Sequence, residues 1–577
     1  MVKKTGRILF LLVIILNISY VLGGLMPGWE SVADTARKEI GKCLEASASS
    51  AAIAVRIDGQ TVYSESFGVC SLDTLRPVDG NTQFNIGSVS KVFAAASVLI
   101  LVQQGKVNLD LPVFIYLPEF SMKDPRYKDI TVRMLLNHTS GIAGTSLKDS
   151  MTAQRNAGYV QQVISNLKDS FLKNDPGEIS IYCNDGFTLV QALVEKVSKI
   201  SYSEFLAENI FSRLDMTNSS AFFKENNENI ARYYDYDQNI SFPAEYVNSL
   251  ASGGLAGTAE DLVKYAEILY DDKILNEQLR KEFMSPQVGS KTALSGEPLY
   301  MFGLGWDSVE DPVFLDSGVT VLTKNGGTCF YSAQLHVVPE YKISVALTVA
   351  GGADVKSVND AVLKEVLKLK GSLDESKKVF NIQTVLPLAF FSGYEGIYAS
   401  LDSIFKYEID LQNNGMNVEI FNGNMFIPYD FLRYEDGYFI SRSSDVYSFV
   451  NDDNGKYIQQ HFHDRQSTRV LIEKIKPSKN IDTREFENKV WVPLNLKAHD
   501  LCAMMARTGS ISQADGYVFL HFSGFHINAL KDGFTGENNL RYIRDTVAFR
   551  IDKTAGSCNL LFEGYRYADA SILPVLE

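Results

Sequence analysis

The chain has 577 residues, of which 45% are hydrophobic and 21% are charged, with 55 basic and 69 acidic side chains. This composition is typical of a folded protein with several domains, and it excludes both a disordered chain and a polytopic membrane protein. The formal net charge of −14 argues against nucleic acid as a partner, because few basic side chains remain to neutralise phosphates.

Residues 1–24 have the pattern of a targeting segment. Three basic residues within the first seven positions precede an apolar stretch from Ile8 to Leu16, and small residues follow around Gly23. This order is typical of a secretory signal peptide, and an uncleaved N-terminal anchor is the alternative. Both interpretations predict a secreted or extracytoplasmic protein of the periplasm or cell envelope, and an anchor would add a membrane tether.

The first folded elements bring a serine next to a lysine. The pattern predicts a helix over Ser31–Ala46, two strands over Ala51–Arg56 and Gln60–Phe67, and then an apolar helix that begins near Ser88. Ser88 and Lys91 lie three residues apart and therefore side by side on one face of that helix. A hydroxyl beside an amine is typical of a serine activated by a base. The same spacing occurs three more times in the chain, so its weight depends on the other candidate residues that accompany it.

A second group of candidate residues follows the turn at Pro176-Gly177. A short extended stretch after this turn is predicted to place Tyr182 and Asn184 on the same side, two residues apart. A phenol near Lys91 can shuttle a proton if its pKa is lowered, and the amide of Asn184 can bind a substrate carbonyl.

A third group lies on a strand predicted over Val319–Lys324 and just beyond it. Lys324 followed by Gly326 and Gly327 provides a fixed positive charge beside a backbone that a substrate can approach. The N–H groups of Gly327 and Ser88 are expected to form an oxyanion hole.

Histidine- or metal-based catalysis fits the sequence less well. In the first domain the only histidines are His138 and His336, and no G-x-S-x-G elbow is present. We expect His138 to hold a loop rather than to act as a base. The six cysteines include no C-x-x-C pair, so no cysteine-based metal site is expected, and their pairing stays open. The prediction is lysine-based activation without metal or cofactor.

Composition divides the chain into four segments. The leader over residues 1–24 precedes an α+β domain over residues 25–372, which ends at a polar, charged linker. Asn-Gly and Asp-Gly turns between about eight short strands predict an up-and-down, lipocalin-like β-barrel over residues 380–475. Its aromatic residues are expected to fill the barrel core rather than line a ligand cup. A second polar break precedes another β-rich domain over residues 485–577.

The three groups resemble, in this order, the active site of the serine β-lactamase and penicillin-binding protein superfamily. They are Ser88-x-x-Lys91, Tyr182-Cys183-Asn184 and Lys324-Asn325-Gly326. The second group is similar to the Tyr-x-Asn of class C enzymes and of their D-aminopeptidase and esterase relatives. Similar stretches also occur at residues 135–142, 252–262 and 302–306, so the resemblance covers roughly residues 30–370. It implies an antiparallel sheet flanked by helices.

By this resemblance Ser88 attacks a carbonyl, Lys91 and Tyr182 handle its proton, and water releases the acyl group as an acid. Lys324 is implied either to attract a substrate carboxylate or to tune Tyr182. Asn325 stands where threonine is usual, which weakens the expectation that the carboxylate of a β-lactam is bound. The implied substrate-binding group is Asn184, Lys324, Gly326 and Gly327.

These observations predict an exported serine hydrolase that acts as a peptidase, amidase or esterase. Appended β-barrels resemble those of peptidases that act on D-amino-acid-containing peptides. The expected substrate is a small molecule or peptide, such as a D-peptide, an ester or a β-lactam. A genuine β-lactamase is one alternative, and a non-catalytic binding protein that keeps the fold as a scaffold is another.

Overall fold

The computed structural model describes residues 28–569 apart from a set of short segments. These segments are residues 224–226, 236–238, 291–301, 316, 374–385, 401–402, 453–454, 463–466, 476–489, 495–498, 502–508, 515–516, 523–524, 529–534, 538–547, 553–558 and 563–564. The predicted leader lies outside the described residues. Within the described part of the chain, no helix has both the length and the apolar character needed to cross a membrane.

A five-stranded antiparallel sheet forms the centre of the first domain, in the order β2-β1-β11-β10-β9. The strands of this domain are β1 (Ser50–Ile57), β2 (Gln60–Gly68), β3 (Phe84–Asn85), β4 (Met151–Thr152), β5 (Tyr234–Asp235), β6 (Ile240–Ser241), β7 (Tyr246–Val247), β8 (Ala256–Gly257), β9 (Leu322–Gly327), β10 (Tyr331–Val338) and β11 (Ile343–Ala350). Every residue of β11 is buried, because helices cover both faces of the sheet. The strand is therefore mostly apolar, and its two polar residues, Ser344 and Thr348, are buried as well.

The helices divide between the two faces. The helix Ser90–Gln103 is apolar all round and packs in the larger core cluster, whereas Glu30–Ala46 and Val355–Leu369 are amphipathic and pack together on the other face. The remaining α-helices are Val113–Tyr116, Val132–Leu136, Tyr159–Leu167, Asn184–Ser198, Tyr202–Leu206, Ala259–Tyr265, Glu277–Met284 and Pro312–Leu315. The 3₁₀ segments are Gly87–Val89, Pro125–Asp129, Ser212–Leu214, Ala266–Leu269, Pro339–Tyr341 and Leu388–Tyr394, and the π-helical turns are Ala207–Phe211 and Leu250–Gly254.

A closed barrel of eight strands in sequence order follows. The strands are β12 (Gly396–Ala399), β13 (Ile404–Asp410), β14 (Gly415–Phe421), β15 (Phe426–Glu435), β16 (Tyr438–Ile440), β17 (Val446–Asp452), β18 (Gly455–Phe462) and β19 (Ser467–Lys474). Phe391, from the preceding 3₁₀ segment, packs edge-on against Phe439 at 5.0 Å between ring centroids. The barrel core contains further aromatic side chains such as Tyr398, Tyr407 and Phe449. The predicted fold class, an α+β domain followed by a β-barrel, is confirmed.

The last module is an eight-stranded antiparallel sheet in the order β23-β22-β21-β20-β27-β26-β25-β24. Its strands are β20 (Trp491–Pro493), β21 (Gly509–Ala514), β22 (Tyr517–Phe522), β23 (Phe525–Asn528), β24 (Thr535–Glu537), β25 (Ala548–Asp552), β26 (Asn559–Phe562) and β27 (Tyr565–Asp569). Between β20 and β21, the segment His499–Leu501 contacts the first domain.

Candidate active site

Ser88 and Lys91 are in direct contact. The Nζ atom of Lys91 lies 3.1 Å from the Oγ atom of Ser88, and Lys91 is fully buried. Ser88 itself belongs to the 3₁₀ turn Gly87–Val89, and the α-helix begins at Ser90. A helical start near Ser88 agrees with this arrangement: the 3₁₀ turn runs directly into the α-helix and keeps both side chains on one face.

Hydrogen bonds fix the turn that carries Ser88. The N–H of Gly87 donates to Oδ1 of Asn85 at 2.7 Å, and the Ser90 hydroxyl donates to the carbonyl of Gly87 at 2.7 Å. Ser90 Oγ also accepts from the N–H of Leu255 at 3.2 Å. Because these bonds come from both sides of the turn, the Ser88 side chain is held against the rest of the site.

Two carbonyl oxygens orient the Lys91 amine. Its Nζ atom lies 2.7 Å from Oδ1 of Asn184 and 2.6 Å from the backbone carbonyl of Ser252, in the turn Leu250–Gly254. Both oxygens can only accept, so each binds an N–H of Lys91. When Lys91 is a charged ammonium, Ser88 Oγ accepts a hydrogen bond from it. When Lys91 is neutral, the Ser88 hydroxyl donates its hydrogen bond to Nζ of Lys91. The Asn184 Nδ2 donates one of its two N–H bonds to Thr145 Oγ1 at 2.9 Å.

Tyr182 lies between two lysines. Its ring centroid is 4.7 Å from Nζ of Lys91 and 5.2 Å from Nζ of Lys324. Nearby positive charges favour the ionised form of a phenol, so this position suits a proton acceptor.

The backbone around Tyr182 differs from the predicted extended stretch. A helix begins at Asn184, and Cys183 is its N-cap, with Sγ accepting from the N–H of Gly186 at 3.3 Å. Asn184 therefore projects from the first helical turn, while Tyr182 precedes the cap. Cys183 takes the capping role for which serine is well suited.

The imidazole ring of His138 stacks against the ring of Tyr182. The two rings stack with centroids 4.4 Å apart and planes 28° apart, and Nδ1 of His138 accepts from the N–H of Cys183 at 3.1 Å. An accepting Nδ1 carries no proton, so this hydrogen bond requires the neutral ring. The loop-holding role expected for His138 agrees with this geometry.

Lys324 forms a buried ion pair with Asp307. Its Nζ atom lies 2.6 Å from Oδ1 of Asp307, and the other carboxylate oxygen accepts from the N–H of Asn325 at 2.8 Å. Burial lowers the pKa of Lys324, but the charge of Asp307 and the contact with Tyr182 outweigh it and raise the pKa above its ordinary value. Of the two roles implied for Lys324, this pairing favours the tuning of Tyr182 over the capture of a substrate carboxylate.

Strand β9 passes close to the Ser88 turn. A Cβ atom on Gly326 would lie 2.1 Å from the carbonyl of Ile86, and one on Gly87 would lie 2.7 Å from the nitrogen of Gly327. Only glycine allows this approach, and Gly87 also has a positive φ of 49°. The approach brings the backbone of Gly327 next to that of Ser88, as an oxyanion hole requires.

Asn325 follows Lys324 on β9, so the two side chains lie on opposite faces of the strand, and Asn325 is exposed. Its Nδ2 donates to Oε1 of Gln334 on the neighbouring strand at 3.0 Å. The position usually occupied by threonine thus carries an amide, and one of its two N–H groups is bound to Gln334.

Sequence reasoning missed three groups that shape the site: the Ser252 carbonyl, the Asp307 carboxylate and the Thr145 hydroxyl. Ser252 and Asp307 lie in or next to stretches already noted as similar to the superfamily. Every residue has a backbone carbonyl, so the residue type does not reveal which carbonyl binds Lys91. A single aspartate forms no spaced motif from which its partner could be predicted.

In the described residues, one cluster has the spacing of metal ligands: Asp311, His336 and Asp360. The Nζ atom of Lys356 lies 2.9 Å from a carboxylate oxygen of each aspartate. Its ammonium provides a counter-charge to both carboxylates, and the cluster forms a buried ion-pair network.

Comparison with known proteins places this site in a family. Residues 34–367 match the model of the Beta-lactamase family. The chain belongs to this family. The predicted superfamily resemblance is therefore confirmed.

Two curated relatives illustrate the similarity. Penicillin-binding protein 4* of Bacillus subtilis (strain 168) is 25% identical over 298 residues, which are 48% of this chain and 62% of that protein. A beta-lactamase of Yersinia enterocolitica is 26% identical over 328 residues, or 51% of this chain and 80% of that protein. The match thus spans less than two thirds of the Bacillus protein.

Two solved structures share the fold. An octameric penicillin-binding protein homologue from Pyrococcus abyssi has a TM-score of 0.52 at 21% identity and covers 77% of this chain and 98% of its own. SurE has a TM-score of 0.55 at 20% identity and covers 77% of this chain and 99% of its own. Because 77% of this chain exceeds the length of residues 34–367, the likeness of fold extends beyond the catalytic domain.

Proposed function

We propose that this chain is an exported serine hydrolase that forms an acyl-enzyme on Ser88 and acts as a peptidase, amidase or esterase. The observation that carries the proposal is the 3.1 Å contact between Ser88 Oγ and Lys91 Nζ, beside Tyr182. Membership of the Beta-lactamase family supports serine-hydrolase chemistry in general. The finer activity rests on the residues of the site.

In the acylation step, Ser88 Oγ forms a bond to the carbonyl carbon of an amide or ester. Its proton passes to neutral Lys91 or to ionised Tyr182, and the N–H groups of Ser88 and Gly327 stabilise the oxyanion. The free N–H of the Asn184 amide binds the substrate next to the scissile bond. When the intermediate collapses, the C–N or C–O bond breaks and the leaving amine or alcohol takes the proton back.

In the deacylation step, a water molecule loses a proton to the same base and adds to the acyl carbon. The Ser88–acyl bond then breaks, the serine regains its proton and the acid leaves. Lys324 holds positive charge beside Tyr182 throughout both steps, and Asp307 stabilises that charge.

Two features favour ordinary amides or esters over β-lactams as substrates. Lys324 is bound to Asp307, and the Asn325 donor is bound to Gln334. The charge of Lys324 is thus neutralised within the protein, and one of the two N–H groups of Asn325 is already bound. A peptide containing a D-amino acid, or a small ester, fits this site without such a contact.

The test is covalent labelling of the whole protein with a fluorophosphonate probe. Wild-type protein should gain the mass of one probe, and Ser88→Ala should gain none. Ser165→Ala is the matched control, because Ser165 and Lys168 have the same spacing but both are exposed. Labelling that persists in Ser88→Ala would contradict the proposal.

Turnover of a substrate panel then separates the activities. Wild-type protein should hydrolyse esters or D-peptide amides faster than a chromogenic cephalosporin. Faster turnover of the cephalosporin would favour a β-lactamase instead, in line with the similarity to the Yersinia protein. No acyl-enzyme with any substrate would favour a binding protein. Export, which rests on residues 1–24, is tested by N-terminal sequencing of protein recovered outside the cytoplasm.

A further inference from the structure

The C-terminal module contributes a short segment, His499–Leu501, that pairs with the catalytic domain through a single β-bridge. Asp500 forms an antiparallel bridge with Thr152 of β4, and the N–H of Ala153 donates to the carbonyl of His499 at 2.8 Å. The N–H of Asp149 also donates to Oδ2 of Asp500 at 3.3 Å. Thr152, Asp149 and Asp500 are all buried, so this contact belongs to the interior of the protein.

This docked segment lies at the edge of a small two-stranded sheet within the catalytic domain. On its other side β4 pairs with β7, with Met151 opposite Val247 and Thr152 opposite Tyr246. Asn248, directly after β7, ties the same pair together, because its Nδ2 donates to the carbonyl of Asp149 and to Thr152 Oγ1, both at 2.8 Å. The docked segment His499–Leu501 thus lies against β4, and β4 pairs with β7.

The residue before β7 binds the end of strand β9. The carboxylate of Glu245 is fully buried and accepts from Thr328 Oγ1 at 2.7 Å and from the N–H groups of Cys329 and Phe330 at 3.0 and 2.9 Å. These three donors follow Gly327 directly in sequence. Cys329 also contacts Met151 of β4, with 3.7 Å between the two sulfur atoms.

One continuous set of contacts therefore joins the C-terminal module to the oxyanion hole. It runs from Asp500 through β4 and β7 to Glu245, and from there to the turn that carries Gly327. A buried carboxylate with three donors allows little movement of that turn, and a displacement of about 1 Å at a catalytic group is costly.

We propose that the docked segment His499–Leu501 positions the oxyanion hole, with Asp500 as a positioning residue. The segment acts on the chemical step through β4, β7 and Glu245, and it touches no substrate. This inference rests on the proposed acyl-enzyme function. It assigns to the C-terminal module a role in catalysis that its distance in sequence from Ser88 does not suggest.

The test compares full-length variants that break the two docking contacts separately. Asp500→Ala removes the acceptor for Asp149, and Ala153→Pro removes the N–H that binds His499. Asp500→Asn keeps an acceptor oxygen and is the rescue variant. Leu494→Ala, at an exposed position of the same module, is the matched control. Since Ala153→Pro leaves the buried carboxylate intact, the proposal stays testable if Asp500→Ala does not fold.

Hydrogen–deuterium exchange gives a readout that does not depend on activity. In Asp500→Ala and Ala153→Pro, exchange should become at least ten-fold faster at the amides of Cys329 and Phe330, although neither contacts the altered residue. With a nitrophenyl ester, kcat should fall at least ten-fold while KM stays within two-fold, because the oxyanion hole acts in the transition state. Asp500→Asn should restore both, and Leu494→Ala should change neither.

Unchanged exchange at Cys329 and Phe330 in both disrupting variants would overturn the inference. So would a rise in KM with kcat unchanged, because that would mean the segment contributes to substrate binding. If wild-type protein forms no acyl-enzyme, the proposed function fails instead, and the exchange result still decides whether the segment holds the turn.

Discussion

Replacing Asp307 by asparagine removes the negative charge that faces Lys324. The two side chains are 13% and 1% exposed, and their charged atoms are 2.6 Å apart. Coulomb's law gives about 6 kcal/mol for this separation at an effective dielectric constant of ~20. Asparagine costs less to bury and still accepts a hydrogen bond, so we expect the free energy of unfolding to fall by about 3 kcal/mol, as for other broken buried pairs.

The same change should alter the pH dependence of acylation. Asp307 helps to raise the pKa of Lys324, and without it the effect of burial lowers that pKa. A lysine loses its charge as the pH rises through its pKa, so the alkaline limb of the profile should move to lower pH in Asp307→Asn.

The assay is the burst of nitrophenol from an activated ester between pH 6 and 10, together with urea unfolding at pH 7. Because the pKa of Lys324 is raised, the wild-type alkaline limb should lie above this pH range, and the limb of Asp307→Asn should fall within it. Asp307→Glu keeps the charge and is the control, and its alkaline limb should stay near that of the wild type. An unchanged alkaline limb in Asp307→Asn, with stability within about 0.5 kcal/mol of the wild type, would refute the role assigned to this pair.

Substitutions at three further positions and one pH titration test the packing. Lys356→Met leaves two buried carboxylates without a counter-charge and should lower the free energy of unfolding by about 3–5 kcal/mol in urea titrations. Burial raises the pKa of Asp360, but His336 and Lys356 lower it to about 2, so its stabilisation should disappear as the pH falls from 3.8 towards 2, measured by urea midpoints. Cys183→Ala should cost about 1 kcal/mol in the same titrations and Cys183→Ser less, because only serine keeps a cap. Phe391→Ala should destabilise the barrel by about 3–5 kcal/mol in thermal unfolding and leave the ester burst unchanged.

The parts of the site that depend on local spacing were predictable from the sequence. Ser88 and Lys91 are three residues apart, so any helical turn brings them together. The eight strands of the barrel were also predictable, because consecutive hairpins with Asn-Gly and Asp-Gly turns allow few other folds. In both cases the information lies within a short window of the chain.

The parts that depend on distant partners were not predictable. No short sequence pattern specifies that Asp307 binds Lys324. The carbonyl of Ser252 belongs to the backbone, so the residue type at this position does not indicate its role. The apolar pattern predicts a helix over Phe187–Val197, but the start of this helix at Asn184 was missed because Cys183 is an uncommon N-cap. The docking of Asp500 on Thr152 joins residues from different modules, and only the folded chain brings them together.

The docking of the segment His499–Leu501 on β4 also affects the order in which the chain folds. Strand β1 pairs with β11, so the central sheet is complete once residue 350 has been synthesised. The partner of β4, His499–Leu501, follows about 150 residues later, which is roughly 8 to 30 s at ordinary rates of translation. During that interval the nascent chain carries an open strand edge beside its future oxyanion hole. A chaperone or a second nascent chain that binds an exposed edge would compete there with the chain's own C-terminal module.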